Sequence, residues 1–166
     1  MLLKEESVNK QERNEKIEEY GRGYELLSKA LSGIPHEARD FKPAAEEWSV
    51  HEIIVHMADS ESMAALRARK LIVEPGTQLM GYEEARWAGA LDYQHQDIDC
   101  ALDIIRLARQ TTYGLLKSLP EEVFTHSVVH PEYGEPYTFD RWLSIYSHHI
   151  PDHIEQMKKA VEQWKG

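Results

Sequence analysis

The chain has 166 residues, 42% hydrophobic and 29% charged, a balance that suits a single soluble domain spanning residues 1–166. A formal net charge of −10 argues against nucleic acid as a partner, and the short basic run Arg67, Arg69 and Lys70 reads as a solvated helix face. No apolar run reaches the roughly 18 residues of a membrane span. The N-terminal stretch is charged rather than leader-like and Cys100 is the only cysteine, so a cytoplasmic location is expected.

The first helical segment runs from about Asn9 to Ser32, with Ile17, Tyr20, Tyr24, Leu27 and Leu31 at three- and four-residue spacing. Gly33 and Pro35 end it. The second begins at Ser49, where Glu52 completes a capping box, and runs to about Val73 before Pro75 and Gly76. The third covers roughly Asp97 to Ser118, its apolar positions including Ile98, Ala101, Ile104, Ile105, Ala108, Leu115 and Leu116. Cys100 on this helix reads as packed. The fourth covers roughly Phe139 to Trp164, with Thr138 as its cap. Two connections are longer than bundles generally use: residues 75–96, with room for a short helix around Tyr82–Ala88, and residues 121–137, which read as an extended segment and a Gly-containing turn. The expected fold is all-α, a four-helix bundle with long crossover connections, the second of which has the makings of a small β-hairpin before the last helix.

Nine histidines stand against three phenylalanines. On the last helix Trp142, Ile145, Tyr146, Ile150, Met157, Ala160, Val161 and Trp164 form one stripe, and His149 and His153 lie near its middle. The i, i+4 spacing stacks the two imidazoles on one face, close enough to share an ion. A metal site of this kind takes a third protein ligand and leaves a position open. His36, His51, His56, His95, His126 and His130 are the candidates. On the second helix His56 lies at the edge of the stripe formed by Val50, Ile53, Ile54, Met57, Ala64, Ala65 and Ala68, while Glu61 falls inside it. A carboxylate there is costly unless it is paired, which makes Glu61 a candidate ligand, ligand partner or general base; the alternative is a carboxylate that escapes to solvent.

The run from Trp48-Ser49 through His56 to Asp59 and Glu61 resembles the second-helix motif of the DinB-like superfamily. The stretch His149-Ile150-Pro151-Asp152-His153-Ile154-Glu155-Gln156 is similar to its last-helix His-x-x-x-His-x-x-Gln signature. The segment His130-Pro131-Glu132-Tyr133-Gly134 is similar to the His-Pro-x-x-Gly of its YfiT-like branch. The resemblance spans about residues 14–160. It implies a four-helix bundle in which three histidines bind a divalent metal, usually zinc or nickel, and carried over position by position it names His56, His149 and His153 as the ligands. Members are often described as metal-dependent hydrolases, some are thiol-dependent transferases or isomerases, and many have no known reaction. Pro151 departs from a regular helix between the two last-helix ligands, and a kink there would shift one imidazole against the other.

The first expectation is therefore a metal-dependent enzyme acting on a small-molecule substrate, hydrolytic through an activated water, with Glu61 and Asp152 as proton-handling candidates. The rivals are a thiol-dependent S-transferase or isomerase using a low-molecular-weight thiol, and a non-enzymatic metal-binding stress-response protein. A homodimer is compatible with a bundle of this size. His126 and His130 read first as a solvent-facing edge and second as a lid or acid/base pair. His148 and Asp152 read as an outward i, i+4 pair, Asp152 alternatively as a group that orients a ligand imidazole.

Overall fold

The computed structural model describes residues 8–165; the charged N-terminal stretch noted above falls largely on residues 1–7, outside the described residues. Helix α1 (Lys10–Ser32) starts where the Asn9 side chain accepts the Glu12 N–H, and closes at Gly33. Helix α2 (Val50–Val73) carries the Ser49–Glu52 capping box with both of its hydrogen bonds. After a short helix α3 (Glu84–Ala90), helix α4 (Ile98–Leu116) is capped by Asp97 and helix α5 (Phe139–Glu162) by Thr138. The hairpin is present as β1 (Ser127–His130) and β2 (Gly134–Thr138), antiparallel, with a register shift between Val128 and His130. Gly134 at φ +72° makes the turn, a backbone conformation that costs glycine nothing.

The four long helices form the bundle. Helices α1 and α2 each pack on α4 and α5, so α1 faces α2 across the diagonal, although the two are consecutive in sequence. The same holds for α4 and α5. Both diagonal steps need a crossover, supplied by residues 33–49 and 117–138. No helix among the described residues is long and apolar enough to cross a membrane.

Helix α2 is the most enclosed element, because α3 and the Tyr93–His95 turn cover it in addition to α4 and α5. Two apolar clusters fill the bundle. One gathers Leu27, Ile53, Ile54, Met57, Ile105, Ile150 and Met157, and the other Tyr20, Ala64, Leu71, Leu116, Phe139 and Trp142. A polar layer lies between them, and it holds the site. The face that α4 turns inward comprises Ala101, Ile105, Arg109, Thr112 and Leu116. The expected stripe is rotated relative to this one: Ile104 is 45% exposed while Arg109 is 1% exposed. Cys100, expected to pack, is exposed, because it sits in the first turn of α4 on the side away from Ala101 and Ile105.

Candidate metal centre

Helix α5 runs through Pro151 without a break. His149 and His153 therefore keep their one-turn stacking, with ring centroids 4.6 Å apart and the two Nε2 atoms 3.2 Å apart. From α2, His56 brings its ring centroid to 4.8 Å from His153 and 5.9 Å from His149. One ring nitrogen from each of the three lies within 4.8 Å of the others. Trp48, just before the α2 cap, packs its ring 4.9 Å from His56 and thereby adds a wall to the site as well as a contact to the helix.

Hydrogen bonds fix the state of two of these rings. His149 Nδ1–H donates to Glu61 Oε1 at 3.3 Å, and His153 Nδ1–H donates to Gln156 Oε1 at 2.8 Å. A carboxylate and an amide oxygen only accept, so each ring carries its proton on Nδ1 and presents a bare Nε2 lone pair to the other. Ser60 Oγ–H donates to His149 Nε2 at 3.2 Å, and no proton is left to bridge the two rings. Two lone pairs at that separation repel unless a cation lies between them and the third ring. Nδ1 of His56, in a residue only 1% exposed, has no hydrogen-bond partner among the described residues.

Burial, then the neighbouring His153 and His149, pushes His56 down to about 3. Burial, followed by His149, pushes His153 down to about 4. Both imidazoles are thus neutral near pH 7, the form that binds metal. These residues fit a divalent cation with borderline nitrogen preference.

Glu61 does not escape to solvent; it is fully buried behind His149. Burial alone would raise its pKa, but the Arg109 charge and the His149 hydrogen bond hold it below the ordinary carboxylate range. Arg109 Nη2 donates to Glu61 Oε1 at 2.8 Å and to the Tyr146 carbonyl at 2.7 Å, while its Nη1 donates to the Tyr20 carbonyl at 2.7 Å. One guanidinium thus ties together all four long helices. Its passage depends on Gly23 of α1, where a Cβ would lie 2.3 Å from Arg109 Nη1. Asp152 is exposed and makes no hydrogen bond to the three imidazoles among the described residues. His148 bonds the Ser144 carbonyl and Ser147 Oγ instead of pairing with Asp152.

Beside the three histidines lies a cleft of about 320 Å³ whose inner wall includes Ser60, Arg67, His130, Tyr137, Tyr146 and His149. Two readings of the sequence change here. His130 is not a solvent-facing edge: it is 2% exposed, because it follows Val128 on the inward face of β1, against Tyr133 and Tyr137. His126 Nδ1–H donates to the Leu71 carbonyl on α2. Arg67 is not a solvated surface cation but 7% exposed, since its position shares a helix face with Ala64 and Leu71. The sequence carried signals for both missed arginines: Arg67 follows Ser60 and Ala64 at helical spacing, and Arg109 follows Ala101 and Ile105.

A sequence profile of the DinB superfamily matches residues 19–157. A Bacillus licheniformis protein named "Putative metal-dependent hydrolase" is 26% identical over 133 residues, covering 80% of this chain and 76% of that one. An Oceanobacillus iheyensis protein with the same description is 28% identical over 138 residues, covering 83% and 79%. The Bacillus subtilis "Putative metal-dependent hydrolase YfiT" is 23% identical over 159 residues, covering 94% and 89%. The solved structure of YfiT superposes with a TM-score of 0.87 at 21% identity, covering 99% of this chain and 95% of that one, and is described as having "an unusual four-helix bundle topology".

Proposed function

The chain belongs to the DinB superfamily, and on that premise we propose that it is a metal-dependent hydrolase whose ligands are His56, His149 and His153. The observation that carries this reading is the pair of unprotonated Nε2 atoms 3.2 Å apart, with His56 beside them and a cleft opening at His149. The relatives' names as metal-dependent hydrolases support it. Zinc or nickel suits three imidazoles best.

When bound, a divalent cation supplies Lewis-acid polarisation of an oxygen and acidification of water. The chain's own groups prepare the place. Glu61 holds the proton of His149 on Nδ1 and turns Nε2 toward the other two rings. Arg109 balances the Glu61 charge, so three neutral ligands leave the cation its full positive charge. Gln156 does for His153 what Glu61 does for His149. The hydroxyl of Ser60 lies on the cleft side of His149 Nε2 and can orient a polar atom entering from the cleft.

The test is the metal content of tag-free protein beside a His149→Ala/His153→Ala variant, followed by a panel of ester and amide substrates. Near-stoichiometric zinc or nickel, lost in the variant, with hydrolysis that a chelator stops and metal restores, is expected. Metal-free protein that takes up neither ion defeats the metal reading. A metal-loaded protein that hydrolyses nothing but transfers a low-molecular-weight thiol is an S-transferase instead.

A further inference from the structure

We propose that the cleft floor formed by Arg67 and His130 is a binding subsite for a carboxylate group of the substrate. The proposal rests on the metal-dependent reading only for the word substrate; the subsite itself is built from residues that are not metal ligands. Arg67 is 7% exposed and has no carboxylate within 4.0 Å among the described residues. Its Nη1 donates to the Tyr146 hydroxyl at 3.2 Å and its Nη2 to the Met80 carbonyl at 3.0 Å, both neutral acceptors, and its Nε has no hydrogen-bond partner among the described residues. A guanidinium enclosed without a counter-ion is costly, and an anion that reaches it gains charge-assisted hydrogen bonds.

His130 supplies the second donor. Its Nδ1 accepts from the backbone N–H groups of Glu132 and Tyr133, at 3.2 and 3.4 Å, so its proton sits on Nε2. That Nε2 is buried and has no hydrogen-bond partner among the described residues. Two unsatisfied donors, one of them charged, thus belong to the wall of one cleft. The same wall includes His149 and Ser60, which places a carboxylate held there alongside the metal centre.

The rim selects among anions. Glu83, Glu84 and Glu132 line the same cleft and are exposed. Three carboxylates around the entrance repel a phosphate dianion more strongly than a singly charged carboxylate. The floor-to-rim arrangement therefore favours a monocarboxylate over a phosphate ester.

The test uses ¹H–¹⁵N spectra of the Arg67 Nε–H and His130 Nε2–H in zinc-loaded and in chelator-treated protein. Acetate is titrated, with chloride at equal ionic strength as control and inorganic phosphate as competitor. The expected result is a saturable shift of both resonances by acetate, with or without zinc, and an acetate affinity, read on the remaining His130 Nε2–H, weakened roughly tenfold or more in Arg67→Gln. Arg67→Lys, which keeps the charge but not the fork, should weaken it less than Arg67→Gln. The wild-type shifts decide the matter if neither variant folds. Acetate effects that require zinc and leave both resonances unmoved would put the anion on the metal and overturn the subsite. Phosphate binding tighter than acetate would overturn the carboxylate assignment. Stoichiometric zinc with no acetate shift overturns the subsite and leaves the metal reading standing. An acetate shift in protein that binds no zinc supports the subsite and defeats the metal reading.

Discussion

The Arg109 guanidinium lies 2.8 Å from the Glu61 carboxylate where their side chains are 1% and 0% exposed, and the carboxylate's other contact is a histidine of the candidate metal centre. A charge that fixes a ligand's orientation is thereby neutralised by a charge that also bonds two further helices. Removing one partner strands the other. Arg109→Met is expected to cost about 3–5 kcal/mol, the usual range for breaking a buried pair. Glu61→Gln keeps an acceptor for Arg109 but changes what His149 meets at Nδ1, and should weaken zinc binding by roughly 10–100-fold. Urea denaturation and competition with a zinc chelator measure the two effects separately.

The other carboxylate named from the sequence should behave differently. Asp152→Asn is expected to change stability by no more than about 0.5 kcal/mol, because it alters an exposed side chain with no hydrogen bond to the site. Its metal content should match wild type. Loss of metal in Asp152→Asn would show that the exposed face of α5 reaches the centre after all.

Gly23 and Gly114 make a controlled pair. Both are helical, and alanine gains about 1 kcal/mol of helix propensity over glycine at either. At Gly114 nothing lies within 4 Å of the added Cβ, so Gly114→Ala should stabilise. At Gly23 the Cβ meets Arg109 Nη1, which three hydrogen bonds from the guanidinium hold in place. Overpacking of about 1–3 kcal/mol should outweigh the propensity gain, and Gly23→Ala should melt below wild type. Thermal denaturation of the two variants reads the sign directly.

Acid should destabilise the metal-free protein in a defined window. His56 at about 3 and His153 at about 4 lie below their ordinary 6.5, so the unfolded chain binds protons that the folded chain refuses. The stability they contribute is intact above about pH 6.5 and is lost as pH falls toward the folded values. By about pH 5, His56 alone should withdraw about 2 kcal/mol. Urea midpoints of chelator-treated wild type and His56→Asn, compared at neutral and acid pH, should show the shallower decline in the variant; equal declines would place the proton uptake elsewhere.

Metal should act as a folding ligand. Zinc at about a hundred times its dissociation constant is expected to add about 2.7 kcal/mol to wild-type stability and nothing to His149→Ala/His153→Ala. Calorimetric scans with and without zinc test this, and a rise of equal size in the double variant would mean that the ion binds elsewhere.

Much of this was legible in the chain. Each long helix begins within one residue of the start that the sequence marks, at Asn9, Ser49, Asp97 and Phe139, and the two caps named there, Ser49 and Thr138, are in place. Local chemistry writes those signals. The two last-helix histidines were legible because helical periodicity places them on the α5 stripe, whereas His56, at a stripe edge, needed the family resemblance. Helical spacing put Arg67 and Arg109 on buried faces, but their charge spoke against it, because the carbonyls, hydroxyl and carboxylate that meet that charge lie elsewhere in the chain, where no window of sequence displays them. His130 was misread for a related reason: the strand alternates as expected, with Val128 and His130 both buried, but which of its two faces meets the rest of the fold is set by residues distant in sequence. The diagonal placement of α1 and α2 was also hidden, since periodicity gives a helix its buried face but not its neighbour.

The loop after α2 does not hang free. Gly76 and Leu79 donate backbone hydrogen bonds to the carbonyls of Ser127 and Val129, and Val129 donates to the Thr77 carbonyl, so this loop and the hairpin form one sheet-like flap. The imidazoles belong to the helices, whereas His130, Tyr133 and Tyr137 of the cleft belong to this flap and Tyr82 to the segment that follows it. Recognition is thus shared between Arg67, on a ligand-bearing helix, and a hairpin that lies outside the helices. A designer could transplant the flap between relatives as a cassette, changing what is admitted while leaving the reactive end untouched.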